Sequence, residues 1–219
     1  DGDQRAVAAL QAGRSSGTRG NVITVGGVHV AGKSTMGEWC ANVLRSRGRE
    51  VLVTREPGGS PLAVKLRGIV LHEPMDAVTE TFLVFAARDD HLKKRILPAL
   101  AAGTWVVCDR FTDATVAYQG GGKGVDKGLI GSLKSVVHPN LEPDCTLVFD
   151  CAYEVSRERM DKSGRALDRF EREGRPFFER VRASYLAIAK AESGRVRVID
   201  SAQTLDAIRT ELRTVPAGR

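Results

Sequence analysis

The sequence predicts an α/β fold, a parallel five-stranded sheet with helices on both faces and an arginine-rich lid. Three observations carry this. Five short, β-branched runs alternate with stretches of helical spacing from residue 21 onward. No hairpin signal competes, so each strand must reach the next through a crossover helix, which makes neighbours parallel. The first strand runs into a glycine loop and then directly into a helix.

That first unit is the most informative. Asn21 to Val25 is apolar and β-branched, as a buried strand requires, and Thr35 to Arg47 carries Met36, Trp39, Cys40, Val43 and Leu44 at helical spacing. Between them, Gly27 to Ser34 fits G-x-x-x-x-G-K-[ST], the phosphate-binding loop, in the strand–loop–helix context that gives the motif meaning. Gly27 and Gly32 let the backbone curl until successive N–H groups point at phosphate oxygens. The following helix adds the positive end of its dipole. The cradle is read as Gly27, His29, Val30, Ala31, Gly32 and Lys33, with Ser34 and Thr35 opening the helix. Lys33 should reach the terminal phosphates, and the Ser34 hydroxyl suits magnesium. The architecture is therefore of the P-loop NTPase type.

The remaining elements follow in order. Arg49 to Thr54 is a strand, ended by the turn Arg55-Glu56-Pro57-Gly58-Gly59-Ser60, where proline and paired glycines forbid helix or ladder. Pro61 to Leu71 and Thr79 to Leu100 have helical spacing. Trp105 to Cys108 is the third strand and ends in Asp109-Arg110. Gly120 to Gly124 is too rich in glycine for regular structure and reads as a mobile loop. Asp126 to Val137 is a helix, Asp144 to Asp150 a strand, Ala152 to Arg159 the start of a helix, and Phe170 to Glu192 largely helical. Val196 to Asp200 is the fifth strand and Thr204 to Val215 the last helix. Residues 1–20, with a short helix expected at Gln4 to Gln11, read as a flexible arm, and 21–219 as one domain.

A formal charge of +6 and a pI of 9.4 suit either nucleic acid or a phosphorylated small molecule. With aromatics at 5% and no stacking platform or recognition module, the small molecule is preferred and no nucleic-acid partner is expected. No apolar run approaches the ~20 residues that span a bilayer, and residues 1–20 lack the apolar core of a secretory signal, so no membrane role is expected. Cys40, Cys108, Cys145 and Cys151 have no C-x-x-C spacing and sit mostly in apolar runs, which suits buried thiols in a reducing, cytoplasmic setting.

Ligands in such sheets bind beyond the carboxyl ends of the strands. Asp109 at one such end is placed to hold a magnesium-bound water or a substrate group beside Lys33, and Arg110 can fork onto a phosphate. Arginines crowd 157–172 around the break Ser163-Gly164, as expected of a lid that closes over transferring phosphates. Of these, Arg157, Arg165 and Arg169 are expected to touch ligand; nearby glutamates suit the others to a solvated helix face.

These motifs, in this order, resemble thymidylate kinases, nucleoside monophosphate kinases that convert dTMP to dTDP with ATP. The resemblance covers about 21–213 and rests on the phosphate loop, Thr54 to Gly59, Phe85-Ala86-Ala87-Arg88, Asp109-Arg110-Phe111 through Ala117-Tyr118-Gln119-Gly120, Leu167 to Glu171, and Val198-Ile199-Asp200. It implies that Arg55 and Arg110 serve the acceptor phosphate, that Arg88, Thr115 and Gln119 face the pyrimidine edge, and that Tyr118 packs near the sugar. It further implies that Lys33, Ser34 and Arg165 serve ATP, that Glu56, before Pro57, and Asp109 lie near magnesium, and that the chain is a homodimer packed through long helices. Four positions depart from the family pattern. Gly26 and His29 stand where acids are usual, Val84 where a phenylalanine stacks on the base, and Ala114 where a serine is expected. The transfer machinery thus reads as intact and the acceptor pocket as altered. Two alternatives follow, a relative specialised for a modified nucleotide or other phosphorylated metabolite, and a nucleotide-binding regulator without turnover.

Overall fold

The computed structural model describes residues 19–28, 33–164 and 166–214. His29, Val30, Ala31, Gly32, Arg165 and the expected helix at Gln4 to Gln11 lie outside the described residues.

Five strands, β1 (Val22–Gly27), β2 (Val51–Arg55), β3 (Trp105–Asp109), β4 (Cys145–Asp150) and β5 (Val196–Asp200), form one sheet in the order β2-β3-β1-β4-β5, every pair parallel. β1 is central and buried along its whole length, which is why its sequence is continuously apolar or small rather than alternating. The helices are α1 (Lys33–Arg45), α2 (Pro61–His72), α3 (Ala77–His91), α4 (Leu97–Ala101), α5 (Thr112–Thr115), α6 (Lys127–Val137), α7 (Tyr153–Ser163), α8 (Arg175–Ala191) and α9 (Leu205–Thr214). One core cluster packs α1 and α9 on the sheet through Met36, Leu44, Leu147, Phe149 and Leu212. Others bury α8 against Tyr118 and Val148, and the end of α3 and its continuation against Val106 and Phe111.

Local chemistry sets the helix ends. The Asp76 side chain accepts from Thr79 N at 2.8 Å and Asp126 from Leu129 N at 3.0 Å, each satisfying an N–H that the first turn leaves open. Ser60 caps α2, whose Pro61 needs no N–H partner in the first turn. The helix expected from Thr79 to Leu100 is continuous but not uniform: Leu92–Ile96 is wound as a π segment just before Pro98, which has no N–H to donate. Pro176 likewise fixes the start of α8 at Arg175 rather than Phe170.

The clearest correction concerns the glycine run. Val116–Gly122 is a π-helical continuation of α5, with Gly120 and Gly122 buried, not a loop. A Cβ on Gly121 would stand 2.6 Å from Ser184 Cβ, and one on Gly122 would stand 2.5 Å from Phe177 Cε2. The glycines are there because α8 passes so close that side chains cannot fit.

Candidate active site

The strand ends converge as the topology requires. Lys33 opens α1, is buried, and donates through Nζ to Val28 O at 2.6 Å. Burial, reinforced by Arg110, pushes its ammonium down to about 7, with Asp109 opposing. Ser34 and Thr35 are exposed at the same helix start. Asp109 lies in register beside Arg55 of β2 and Val25 of β1, and its buried Oδ1 has no hydrogen-bond partner. Arg110 follows with φ of 69°, in the left-handed region that a side chain enters only at a cost of about 1–3 kcal/mol. The backbone is held there by Arg110 N donating to Val25 O (2.8 Å) and Cys108 Sγ donating to Arg110 O (3.1 Å). The guanidinium rests 4.7 Å above the Tyr118 ring.

Beside Arg110 opens a cleft. Of the ten residues expected on the acceptor side, it is lined by all but Arg55, which is exposed at the end of β2. Arg88 is its best-anchored member. Arg88 Nε donates to Glu56 Oε2 at 2.5 Å and Nη2 to Thr115 Oγ1 at 3.1 Å, while the buried Nη1 has no partner. The other Glu56 oxygen accepts from His91 Nδ1 at 3.1 Å, and His91 Nε2 pairs with the Thr54 hydroxyl at 2.7 Å. Burial alone would raise the Glu56 carboxyl, but Arg88 and His91 outweigh it and hold it below the usual carboxylate range. With both oxygens engaged, Glu56 anchors Arg88 in the wall of the cleft.

Several residues of this cleft carry no motif of their own. Arg67 of α2 donates to Pro57 O at 3.0 Å and is pushed below the usual guanidinium range by burial and by the nearby Arg55 and Arg110. Asp109 and Asp168 offset part of this repulsion, and an anion at the mouth would offset more of it. Lys65 stands on the same helix, so the sequence alone does not single out Arg67. Phe111, Asp168 and Phe170 also line the cleft, and Phe170 meets Tyr118 edge-on at 5.9 Å. The cleft therefore keeps aromatic surface although Val84 supplies none. Ala114 lines the same wall. At Gly26 a Cβ would stand 3.1 Å from the ring of the buried Tyr185, so any side chain there would press on it.

The lid residues separate. Arg157 sits on α7, part-exposed and paired with Asp161 at 3.3 Å, and lines a smaller pocket with Val28 and Tyr118. Arg169, expected at ATP, instead binds Glu80 and donates through Nη2 to Val70 O at 2.8 Å. Thr35, Met36, Arg159, Ser201 and Gln203 line a further groove that no motif announced. Among the described residues, no group of three or more His, Cys, Asp or Glu could hold a metal, all four cysteines are free and buried, and no helix is long and apolar enough to cross a membrane.

A buried ammonium at the mouth of a phosphate loop, facing an arginine-lined cleft across a strand-end aspartate, is the construction of a nucleotide-dependent phosphotransferase. Comparison with known proteins narrows that class. The family model described as thymidylate kinase matches residues 25–212. The thymidylate kinase of Bordetella pertussis is 52% identical over 194 residues, covering 89% of this chain and 93% of that one. The thymidylate kinase of Pseudomonas savastanoi is 51% identical over 199 residues, covering 90% and 94%. A crystal structure of the thymidylate kinase of Ehrlichia chaffeensis superposes with a TM-score of 0.72 at 30% identity, covering 90% of this chain and 98% of that one. The chain belongs to the thymidylate kinase family. Its relatives favour neither of the two alternatives drawn from the altered acceptor positions.

Proposed function

We propose that the protein transfers the γ-phosphoryl group of ATP to dTMP, giving dTDP. The observation that carries this reading is Arg88. Its Nε and Nη2 are fixed by Glu56 and Thr115, and its buried Nη1, which has no partner, is left for a carbonyl in the cleft. A pyrimidine with a carbonyl on its exposed edge satisfies it. The acceptor phosphate then lies at the Arg55–Arg67–Arg110 mouth, and the triphosphate lies against Lys33 and the loop before it. The base of ATP occupies the groove by Ser201 and Gln203.

The acceptor oxygen is already anionic, so no general base is needed, and positioning and charge neutralisation do the catalysis. Arg110, held by its strained backbone and by Tyr118, fixes the nucleophile. Lys33 neutralises charge on the transferring group, and Arg165 and Arg157 add guanidinium charge from the lid. The exposed Ser34 hydroxyl and the orphaned Asp109 Oδ1 suit magnesium, which takes few protein ligands and keeps water and phosphate oxygens for the rest. Magnesium held there would supply positive charge to offset that of the phosphates of ATP. A homodimer is supported by the exposed apolar side chains on neighbouring helices, Leu62 and Ile69 of α2 with Val78 and Phe82 of α3.

The test is a panel of nucleoside monophosphates with ATP and magnesium, read by coupled ADP release. dTMP is expected to be the preferred acceptor, and preference for a purine or a non-nucleotide phosphate would overturn the reading. Light scattering after size exclusion checks the dimer, which Phe82→Asp should split.

A further inference from the structure

Glu80 lies outside every motif above, yet its carboxylate is completely buried and engaged by three side chains. One oxygen accepts from Gln119 Nε2 at 2.7 Å, and the other from Lys123 Nζ at 2.9 Å and from Arg169. It thus ties α3 to the π segment and to the chain returning from the lid. The consequence for Gln119 is chemical. A carboxylate can only accept, so it fixes which end of the amide faces it. The NH2 group is turned to Glu80, and the amide oxygen, which has no hydrogen bond among the described residues, is left at the cleft that Gln119 lines. Gln119 stands one helical turn beyond Thr115, the partner of Arg88. The wall therefore offers a donor, Arg88 Nη1, and an acceptor, Gln119 Oε1.

We propose that Glu80 is a positioning residue that sets acceptor specificity by locking the polarity of the Gln119 amide. This rests on the cleft being the pyrimidine site. A donor beside an acceptor matches the carbonyl and N3–H of thymine or uracil. Cytosine presents the reverse, an amino donor and an unprotonated N3. With Glu80 replaced by glutamine, the facing amide can donate as well as accept, and Gln119 is free to turn.

The test compares dTMP and dCMP as acceptors for the wild type, Glu80→Gln, Gln119→Leu and the double variant, with thermal melts to confirm folding. In E80Q the ratio of kcat/KM for dTMP to that for dCMP should fall roughly tenfold or more, since reading by a buried polar group is strongly selective. KM for dTMP should rise, and KM for ATP should stay. E80Q added to Q119L should shift the ratio no further, because the effect passes through Gln119. Equal losses for both acceptors in E80Q would reduce Glu80 to a structural role and overturn the proposal. Should E80Q fail to fold, Q119L decides: an unchanged ratio there overturns it. Separately from turnover, the Gln119 side-chain amide protons should exchange slowly in the wild type and fast in E80Q. If the wild type does not use dTMP, the acceptor reading falls, and this exchange measurement decides the proposal alone, equal exchange overturning it.

Discussion

Replacing Glu56 by glutamine tests the buried cluster that holds Arg88. The two side chains are nearly the same shape, so the change removes charge with little change in packing. The new amide can be accommodated if its oxygen faces Arg88 and its NH2 faces His91, with the imidazole moving its proton to the Thr54 side. What cannot be replaced is the counter-charge. Arg88 is 2% exposed and Glu56 is its only ion-pair partner among the described residues, so a guanidinium is left uncompensated inside the protein. Breaking a buried pair from one side costs about 3–5 kcal/mol. Retained hydrogen bonds place E56Q at the lower end, about 3 kcal/mol, or roughly 6–12 °C in Tm for a chain of this size. The pH dependence adds a second reading. Because the Glu56 carboxyl is held below its ordinary value in the folded state, its contribution is present above the unfolded value and is lost as pH falls through the folded one. Wild type should thus lose stability relative to E56Q on acidification below the usual carboxylate range, and the gap between them should narrow. Calorimetric melts at neutral and acidic pH measure both, and initial rates give KM for dTMP, which should rise about tenfold as Arg88 loses its anchor. If E56Q melts within a degree or two of wild type at pH 7 with an unchanged KM for dTMP, the reasoning about this cluster is wrong.

Lys33→Ala should lower kcat at least about a hundredfold, as loss of one charge-stabilising donor does. Because burial brings the Lys33 ammonium down to about 7, kcat/KM for ATP should fall as pH rises through that value. A profile flat from pH 6 to 9 would refute the assignment. The same shift means that unfolding takes up a proton above pH 7, so wild type should gain stability relative to Lys33→Met between pH 7 and the ordinary lysine value, as paired melts would show. Arg67→Met should raise KM for the acceptor about 10–100-fold, the range of one charge-assisted hydrogen bond, and leave KM for ATP near wild type. Gly122→Ala must push its methyl against Phe177 and Val181 and should cost about 1–3 kcal/mol, visible as a lower Tm.

What could be read from sequence was whatever is local in sequence. The strand, loop and helix around Lys33 declare themselves because the cradle is built from consecutive residues, and Asp109-Arg110 is legible because a strand end in a parallel sheet has only one place to point. Glu80 and His91 were silent because their meaning lies in partners 35–89 residues away, and neither belongs to a pattern. Arg67 was hidden for the same reason. The glycine run misled because glycine has two physical uses, conformational freedom and absence of bulk. Only the neighbouring helix shows that the second applies to Gly121 and Gly122. Arg169 was assigned to ATP from the arginines around it, and its partner Glu80 lies in another element.

The close approach of Gly121 and Gly122 also makes α8 and the π segment one packed unit. A side chain at either glycine would wedge the two helices apart, so this seam has no room for added bulk and should tolerate substitution least.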